Sequence, residues 1–224
     1  GLMMVADHDA SDRDNDGWDS PRVWNDLGSD TYFGIHFQSA SQTDNNISQV
    51  ATNVAAASAD SIIKGAAGNV TALSFHNGTT INLLTANNAS AAGHIWMNSA
   101  AQGATKVMAA TASYGLGKVA GVGDSSPADD GTGQSGNTLY TGWTEAGATD
   151  NYLFMNICLW LASGTPATSA NITVSPTTLP TTFSYLVGSG PSASQSYNLS
   201  GANLTPAADS LTVTGSTNYE VSKN

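Results

Sequence analysis

The sequence predicts a layered α/β domain followed by a smaller all-β module, and two changes of pattern along the chain support this. Within residues 1–163, short apolar strand-like runs alternate with helix-like runs, which is typical of helices packed on a sheet. After residue 170 the pattern is almost purely β. Residues 164–170 are small and polar, as in a linker. We therefore expect an α/β domain at 1–163, a linker at 164–170 and a β module at 171–224.

The first half of the α/β domain contains two predicted strands and two predicted helices. Residues 2–6 form a continuous apolar run, as in a strand covered on both faces. Residues 21–27 predict a short helix with Ser20 as its N-cap. Residues 32–37 alternate like a strand, and residues 47–59 carry apolar side chains at helical spacing.

The second half of this domain contains two predicted strand pairs. Residues 70–75 and 80–84 flank the sequence His-Asn-Gly-Thr at 76–79, which predicts a hairpin turn there. Residues 107–114 and 118–123 predict a second pair, turned at a Gly-Leu-Gly sequence.

Residues 150–162 predict a helix that closes the domain. This helix is apolar nearly all round, so we expect it to be buried against the sheet. Cys158, in its middle, is predicted to be a buried, inert thiol. Because Cys158 is the single cysteine of the chain, an internal disulfide framework and a thiolate zinc cluster are excluded.

Five short strands are predicted after the linker, separated by Gly, Pro and Ser turns. They lie at residues 171–175, 183–187, 195–199, 211–214 and 219–221. This spacing favours an immunoglobulin-like (Ig-like) β-sandwich. Because such a sandwich needs about seven strands and ~100 residues, we expect an all-β Ig-like sandwich that is only partial.

The composition excludes two classes of partner and favours one location. Lys and Arg number 6 against 17 Asp and Glu, giving a net charge of −11, so no nucleic acid is expected to bind. No apolar run reaches the ~18 residues that a membrane span needs, so no membrane insertion is expected. About a third of the residues are Ser, Thr or Asn, which fits an extracellular or cell-surface protein of a bacterium.

Residues 7–19, the first acidic loop, place six carboxylates within thirteen residues. The pattern D-x-D-x-D-G is formed by Asp12, Asp14, Asp16 and Gly17. Alternating Asp residues before a Gly are typical of the first half of an EF-hand calcium loop, although Val23 stands where the bidentate Glu would be. We expect a structural calcium ion here; the alternative is a solvated acidic loop.

Residues 123–133, the second acidic loop, follow the predicted strand at 118–123. If that strand and the strand at 2–6 are parallel neighbours, both acidic loops meet at one edge of the sheet. The candidate metal ligands are Asp7, Asp9, Asp12, Asp14, Asp16, Asp19, Asp124, Asp129 and Asp130.

The same loops allow a different interpretation, a metal-assisted hydrolase of phosphoesters or glycans. Ser125 or Ser126 would be the nucleophile and His8 the base, with Asp124 beside them. Against it, Gly-Asp-Ser-Ser-Pro lacks the second Gly of a G-x-S-x-G elbow. The simpler alternative is that Asp124 and the two serines satisfy turn amides.

Aromatic residues allow a third interpretation, a carbohydrate-binding module. A sugar-stacking face could be built from Trp18, Trp24, Trp96, Trp143 and Tyr140. Anchoring of core and loops is the favoured use of these side chains, and glycans are retained as possible partners.

Three segments together resemble a known domain. They are residues 4–21, beginning Met-Val-Ala-Asp-His-Asp; residues 117–133, ending Val-Gly-Asp-Ser-Ser-Pro-Ala-Asp-Asp-Gly-Thr-Gly; and residues 150–161. They resemble the class I glutamine-amidotransferase-like domain of secreted multidomain bacterial proteins exported by type IX secretion. Residues 172–224 resemble the Ig-like repeats that often follow it.

The resemblance implies a flavodoxin-like fold, in which a strand ending in Gly-Asp-Ser precedes a final buried helix. It does not imply amidotransferase activity, because the Cys-His-Glu triad has no counterpart. Cys158 lies in the closing helix, and neither Glu145 nor Glu220 is beside a histidine in the sequence. Strands expected before Gly1 are also absent, so the sheet would be completed elsewhere.

These observations favour a noncatalytic, calcium-stabilised structural or adhesion module of a larger secreted protein. The expected partners are other domains of the parent protein or neighbouring copies, which could exchange strands and assemble into a filament. The hydrolase and the carbohydrate-binding module are the alternatives.

Overall fold

The structure is a computed structural model that describes most of the chain. The described residues are 1–11, 16–39, 44–56, 60–133, 138–163, 171–179, 182–184, 186–202, 213–215, 217 and 220–221. The chain divides into two compact units, Gly1–Gly164 and Thr165–Asn224. Within the described ranges, no helix is long and apolar enough to cross a membrane.

The first unit is a mixed α/β structure in which strands predominate. Its described elements are, in chain order, β1 (Leu2–Val5), α1 (Ser20–Asp26), α2 (Ser29–Phe33), β2 (Ile35–Phe37), β3 (Asn45–Ala51), β4 (Asn53–Val54), β5 (Lys64–Gly65), β6 (Gly68–Asn69), β7 (Leu73–Thr79), β8 (Ile81–Leu83), β9 (Ala92–Trp96), β10 (Val107–Tyr114), β11 (Gly117–Val122) and α3 (Asp150–Ala162). Short 3₁₀ turns lie at Asp9–Ser11, Ser126–Ala128 and Gly142–Thr144.

The main sheet has seven strands and curls around the core. Its order is β1-β11-β10-β8-β2, with β9 paired to β10 and β4 paired to β9. The β1–β11 pair is parallel, and the other pairs of this sheet are antiparallel. The β10–β11 hairpin confirms the predicted second strand pair. A flavodoxin-like sheet is built from parallel strands, and only the β1–β11 pair has that arrangement here.

Apolar side chains cover both faces of the sheet. On one face, Leu153 and Ile157 of α3 pack in a buried cluster with Val122 of β11. On the other face, Phe37 of β2 lies in a second buried cluster, against which Trp24 of α1 packs. The parallel β1–β11 pair therefore lies between helices, as a strand pair buried on both faces requires.

Helix α3 confirms the predicted closing helix, but its burial is only partial. It begins at Asp150 with Thr149 as its N-cap. The face that carries Met155 and Leu159 is about half exposed, and Cys158 is exposed as well. The prediction of a buried thiol is therefore wrong. Within the first unit the helix packs on one side only, against the sheet, so an apolar sequence does not by itself guarantee burial all round.

The predicted helix at 47–59 is wrong over its described part, which forms β3 and β4; residues 57–59 lie outside the described residues. Side-chain exposure along β3 alternates with a period of two, because Ser48 and Val50 are exposed while Ile47 and Gln49 are half-buried. Hydrogen bonds to β7 pair this segment, and tertiary pairing overrides the helical spacing of its apolar residues.

The predicted hairpin turn at 76–79 is also wrong, since Asn77 and Gly78 lie inside β7. The register shifts on both sides of Ile47, which leaves one residue unpaired in each strand, Asn46 in β3 and Asn77 in β7. Asn77 has a positive φ of 71°. Asn tolerates this left-handed conformation, which is why Asn-Gly often marks a turn. Here the same conformation forms a bulge within a strand.

Helix α1 confirms the predicted short helix, with one correction to its cap. The side chain of Asp19 accepts a hydrogen bond from the Arg22 amide at 3.1 Å, so Asp19 is the N-cap and Ser20 the first helical residue. The predicted strand at 32–37 is shorter than expected, because α2 occupies its first two residues before β2 begins.

The second unit contains, in its described part, one antiparallel pair, β12 (Asn171–Ser175) and β13 (Asn198–Ala202). The predicted strand at 171–175 is confirmed, and the one at 195–199 overlaps β13. The described residues of 183–187 form no strand. The predictions at 211–214 and 219–221 lie largely outside the described residues.

Candidate functional site

The two acidic loops meet at one edge of the main sheet. β1 and β11 run parallel, with Val5 opposite Val122, and the Ala6 amide donates to the Val122 carbonyl at 2.9 Å. Both strands therefore end at the same place. There, Ser125 Oγ donates to Asp7 Oδ2 at 3.3 Å. The expected convergence of the loops is confirmed at this contact.

Asp124 faces the interior and is only 1% exposed. Its Oδ2 accepts from the His76 amide and from Ser126 Oγ at 2.7 Å, and its Oδ1 accepts from the Ser126 amide at 2.9 Å. Burial raises the pKa of Asp124 to about 7 in spite of these donors. Its carboxyl thus ties the end of β11 to β7.

Two glycines allow the close approach of β7 to the end of β11. A Cβ atom on Gly123 would lie 1.8 Å from the Thr79 carbonyl oxygen. One on Gly78 would lie 2.5 Å from the Asp124 Cβ atom. Both distances are far below van der Waals contact, so these positions require glycine for space.

The His76 side chain contacts two other residues at this edge. Its Nε2 lies 2.7 Å from Glu145 Oε2, and its ring stacks on Tyr140 with 4.4 Å between ring centroids. Tyr140 is held in turn, because its amide donates to Asp129 Oδ2 at 2.7 Å and its hydroxyl donates to Asn77 Oδ1 at 3.3 Å.

The sequence does not reveal this group, because its members come from β7, the second acidic loop and the turn before α3. The prediction that Glu145 has no histidine beside it holds for the sequence but not in space, where Glu145 bonds His76. Local spacing carries no signal for a contact across 69 positions.

These side chains line a cleft, which we call the edge cleft. Its volume is about 310 Å³, and its lining consists of Asp7, His8, Ser11, His76, Asn77, Thr138 and Tyr140. All of these residues are polar. The cleft lies where the first acidic loop faces the β7 bulge.

Asp150, behind His76 at the start of α3, is a second buried carboxyl. It is 1% exposed, and its Oδ1 accepts from the Ser74 amide at 3.0 Å. Its Oδ2 has no hydrogen-bond partner among the residues that the structure describes. Burial raises the pKa of Asp150 to about 7; Glu145 and Asp124 raise it further, against the Ser74 hydrogen bond and His76.

The carboxylate of Asp9, in the first acidic loop, accepts no hydrogen bond from a donor among the described residues. Both of its oxygens are shielded from solvent, and its carboxyl lies within hydrogen-bond reach of the Asp19 carboxyl. Burial raises the pKa of Asp9 to about 6; the neighbouring Asp19 adds to the rise, and Arg22 opposes it. Asp19 itself is buried and lies 3.6 Å from Arg22 Nε.

Of the remaining candidate ligands, Asp12 and Asp14 lie outside the described residues. The other three accept hydrogen bonds from nearby backbone amides. Asp16 is exposed, and its Oδ1 accepts from the Trp18 amide at 2.8 Å. Asp129 and Asp130 accept from the amides of Gly131 and Thr132, each at 2.9 Å.

Within the described ranges, no group of three or more His, Cys, Asp or Glu residues has an arrangement that could hold a metal ion. Asp9 and Asp19 form a pair of buried carboxyls beside the undescribed residues 12–15. Asp124, Asp129 and Asp130 each accept a hydrogen bond from a backbone amide of their own loop, and Asp124 and Asp129 also accept from the amides of His76 and Tyr140.

The hydrolase arrangement of His8, Asp124 and Ser125 is not assembled. His8 and Ser125 both lie at this edge, but the hydroxyl of Ser125 donates to Asp7 rather than to His8. Asp124 faces inward and bonds Ser126 and β7. The simpler alternative is observed for Asp124, which accepts from the Ser126 amide; the two serine hydroxyls instead donate to Asp7 and Asp124.

Three tryptophans serve as anchors. Trp24 Nε1 donates to the Val5 carbonyl at 2.8 Å, Trp96 Nε1 donates to the Gly103 carbonyl at 2.8 Å, and Trp143 packs against the core under α3. Trp18 is half exposed. A sugar-stacking row of tryptophans is therefore not formed, and Tyr140 alone of the predicted aromatic residues lines the edge cleft.

Comparison of the chain with protein-family models, with curated proteins and with solved structures finds no match.

Proposed function

We propose that residues 1–163 form a noncatalytic, calcium-stabilised module of a larger secreted bacterial protein, with a structural or adhesive role at the cell surface. The observation that carries this proposal is the Asp9 carboxylate, whose two oxygens are shielded from solvent and accept no hydrogen bond from the part of the chain that the structure describes. A buried ionised carboxylate is strongly unfavourable unless a cation or a set of donors compensates it.

The chemistry of the neighbouring residues favours calcium as that cation. Ca²⁺ takes six to eight oxygen ligands, many of them carboxylates. Asp9 and Asp19 supply two buried carboxyls, and Asp12 and Asp14 follow in the sequence with the alternation of a calcium loop. Arg22 lies beside Asp19 but leaves the oxygens of Asp9 unpaired, so one guanidinium does not compensate the whole loop.

The noncatalytic part of the proposal is supported by the second acidic loop. The groups that a hydrolase would use there stabilise the fold: Asp124 and Ser126 join β11 to β7, and Ser125 bonds the first acidic loop. These bonds join the second acidic loop to β7 and to the first acidic loop.

The composition and the resemblance support the remaining parts. A surface rich in Ser, Thr and Asn fits an extracellular protein, and the amidotransferase-like, flavodoxin-like and Ig-like assignments rest on the resemblance of the quoted segments. Strand β1 lies at one edge of the main sheet, where neighbouring copies could add a strand and build a filament.

Thermal unfolding of the full chain in CaCl₂ and in EDTA tests the calcium site. Saturating Ca²⁺, ~100-fold above its Kd, should raise the melting temperature of the first unit by about 5–10 °C, since an ion that binds only the folded state stabilises it by mass action. Asp9→Asn should abolish this rise. Asp130→Asn is the matched control and should retain it, because Asp130 is exposed and bonds only Thr132. Equal melting temperatures in CaCl₂ and EDTA would overturn the proposal.

A further inference from the structure

We infer that the edge cleft is a binding site for a neutral glycan. The inference does not depend on calcium, and it uses a different set of residues from the tryptophans that the sequence suggests. Three features of the cleft support it: the conformation of β7, the fixed positions of its side chains and the chemistry of its lining.

The first feature is that His76 and Asn77, which are consecutive in β7, both line the cleft. Successive side chains of a regular strand point to opposite faces. The positive φ of Asn77, 71°, and the bulge that leaves Asn77 unpaired in β7 break that alternation. Bulges that redirect a side chain and non-glycine residues with positive φ are concentrated at binding sites.

The second feature is that the wall of the cleft is already fixed in place. Glu145 holds the His76 ring at 2.7 Å, and that ring stacks on Tyr140. The backbone of Tyr140 is bonded by Asp129 and its hydroxyl by Asn77. A ligand that enters would order few side chains, which lowers the entropic cost of binding.

The third feature is the kind of side chain in the lining. A carboxylate, imidazoles, an amide and hydroxyls offer both donors and acceptors, as the hydroxyl groups of a sugar require. Among the described residues that line the cleft there is neither Lys nor Arg, and there is no aliphatic side chain. This set of groups suits the hydroxyls of a neutral sugar better than a phosphate, a sulfate or a lipid chain. The volume of 310 Å³ falls at the lower end of the ~300–1,000 Å³ typical of small-molecule sites.

The test is binding of the full chain, in CaCl₂ buffer, to an array of neutral and sulfated oligosaccharides, followed by calorimetric titration of any neutral oligosaccharide that binds. Asn77→Gly keeps the backbone conformation accessible and removes only the amide, and it should weaken binding about tenfold. Tyr140→Phe should weaken it by a smaller factor of about three. The matched control is Tyr114→Phe. Tyr114 is exposed and lies at the end of β10 that is far from the edge cleft, so this change should leave the affinity unchanged.

Circular dichroism spectra and melting temperatures of the variants establish that they fold. The inference is supported by a neutral oligosaccharide whose affinity falls in Asn77→Gly and Tyr140→Phe but not in Tyr114→Phe. It is overturned if the array shows no neutral ligand, if only sulfated glycans bind, or if the folded cleft variants bind as tightly as the parent chain.

Discussion

The two acidic loops have similar compositions and meet at the same sheet edge, yet their carboxylates have different environments. In the second loop, Asp124, Asp129 and Asp130 each accept hydrogen bonds from backbone amides. In the first loop, Asp16 and Asp19 do the same, but the solvent-shielded carboxylate of Asp9 accepts no hydrogen bond from the described residues. The charge of a loop therefore says little about its role. What matters is whether the folded backbone supplies donors, since a carboxylate with donors stabilises the fold and one without them requires a cation or a proton.

The largest expected effect comes from removing the carboxylate with the most donors. Asp124→Ala leaves the amide and hydroxyl of Ser126 without an acceptor in a buried site, while the His76 amide keeps its bond to Ser126 Oγ at 3.1 Å. Unsatisfied buried groups cost ~1–3 kcal/mol each, so we expect a loss of about 3 kcal/mol in the free energy of unfolding at pH 4, measured by urea denaturation. The loss should shrink as the pH rises to 7, because the raised pKa of Asp124, about 7, means that its ionised form opposes folding.

Asp130→Ala is the matched control, because Asp130 is exposed and bonds only Thr132, two residues away. Its effect should stay within ~0.5 kcal/mol, as for other surface substitutions. Similar losses in the two variants would show that the contrast in burial between these two carboxylates has no energetic consequence.

The second expected effect concerns Asp150. Among the described residues one of its oxygens has a donor and the other has none, so it is intermediate between Asp124 and Asp9. Its pKa is about 7 in the folded protein against an ordinary value of 3.8. Between these values the folded chain holds a proton that the unfolded chain has released. This group therefore makes the protein less stable as pH rises from about 4 to 7, and the loss is complete above pH 7.

Asp150→Asn removes that ionisation while keeping the shape of the side chain. We expect the variant to be more stable than the parent chain by about 2 kcal/mol at pH 8, because the new amide NH₂ remains unpaired and offsets part of the gain. Near pH 4 the ionisation no longer costs stability, so the unpaired amide should leave the variant less stable than the parent chain by about 2 kcal/mol. Melting temperatures from pH 4 to 8 measure this, and a constant difference across that range would refute the pKa of Asp150.

The difference between the loops also shows how far the sequence could predict this structure. The β1–β11 edge was predictable, because two apolar strands each end in an acidic loop. The β10–β11 hairpin and α3 follow from local patterns as well. The bulge at Asn77 was not predictable, because the same Asn-Gly signal suits a turn and a bulge, and only the pairing of β3 with β7 decides between them.

The candidate site was predicted in part for the same reason. Asp7 and Ser125 were expected to meet, and they do. The inward orientation of Asp124 was weighed only as the simpler alternative, since nothing in Gly-Asp-Ser-Ser-Pro identifies its partner on β7. The His76–Glu145–Tyr140 group was missed, because it joins three segments that only the folded sheet brings together.

The smallest expected effect separates two adjacent serines. Ser126 is buried, donates to Asp124 at 2.7 Å and accepts from the His76 amide at 3.1 Å. Ser125 is exposed and makes one long bond, 3.3 Å, to Asp7. We expect Ser126→Ala to lower the free energy of unfolding by about 1.5 kcal/mol and Ser125→Ala by no more than ~0.5 kcal/mol. Chemical denaturation of both variants at pH 7 measures the pair. If Ser125→Ala were the more destabilising of the two, the contact between the loops, rather than the buried link to β7, would be the main source of stability at this edge.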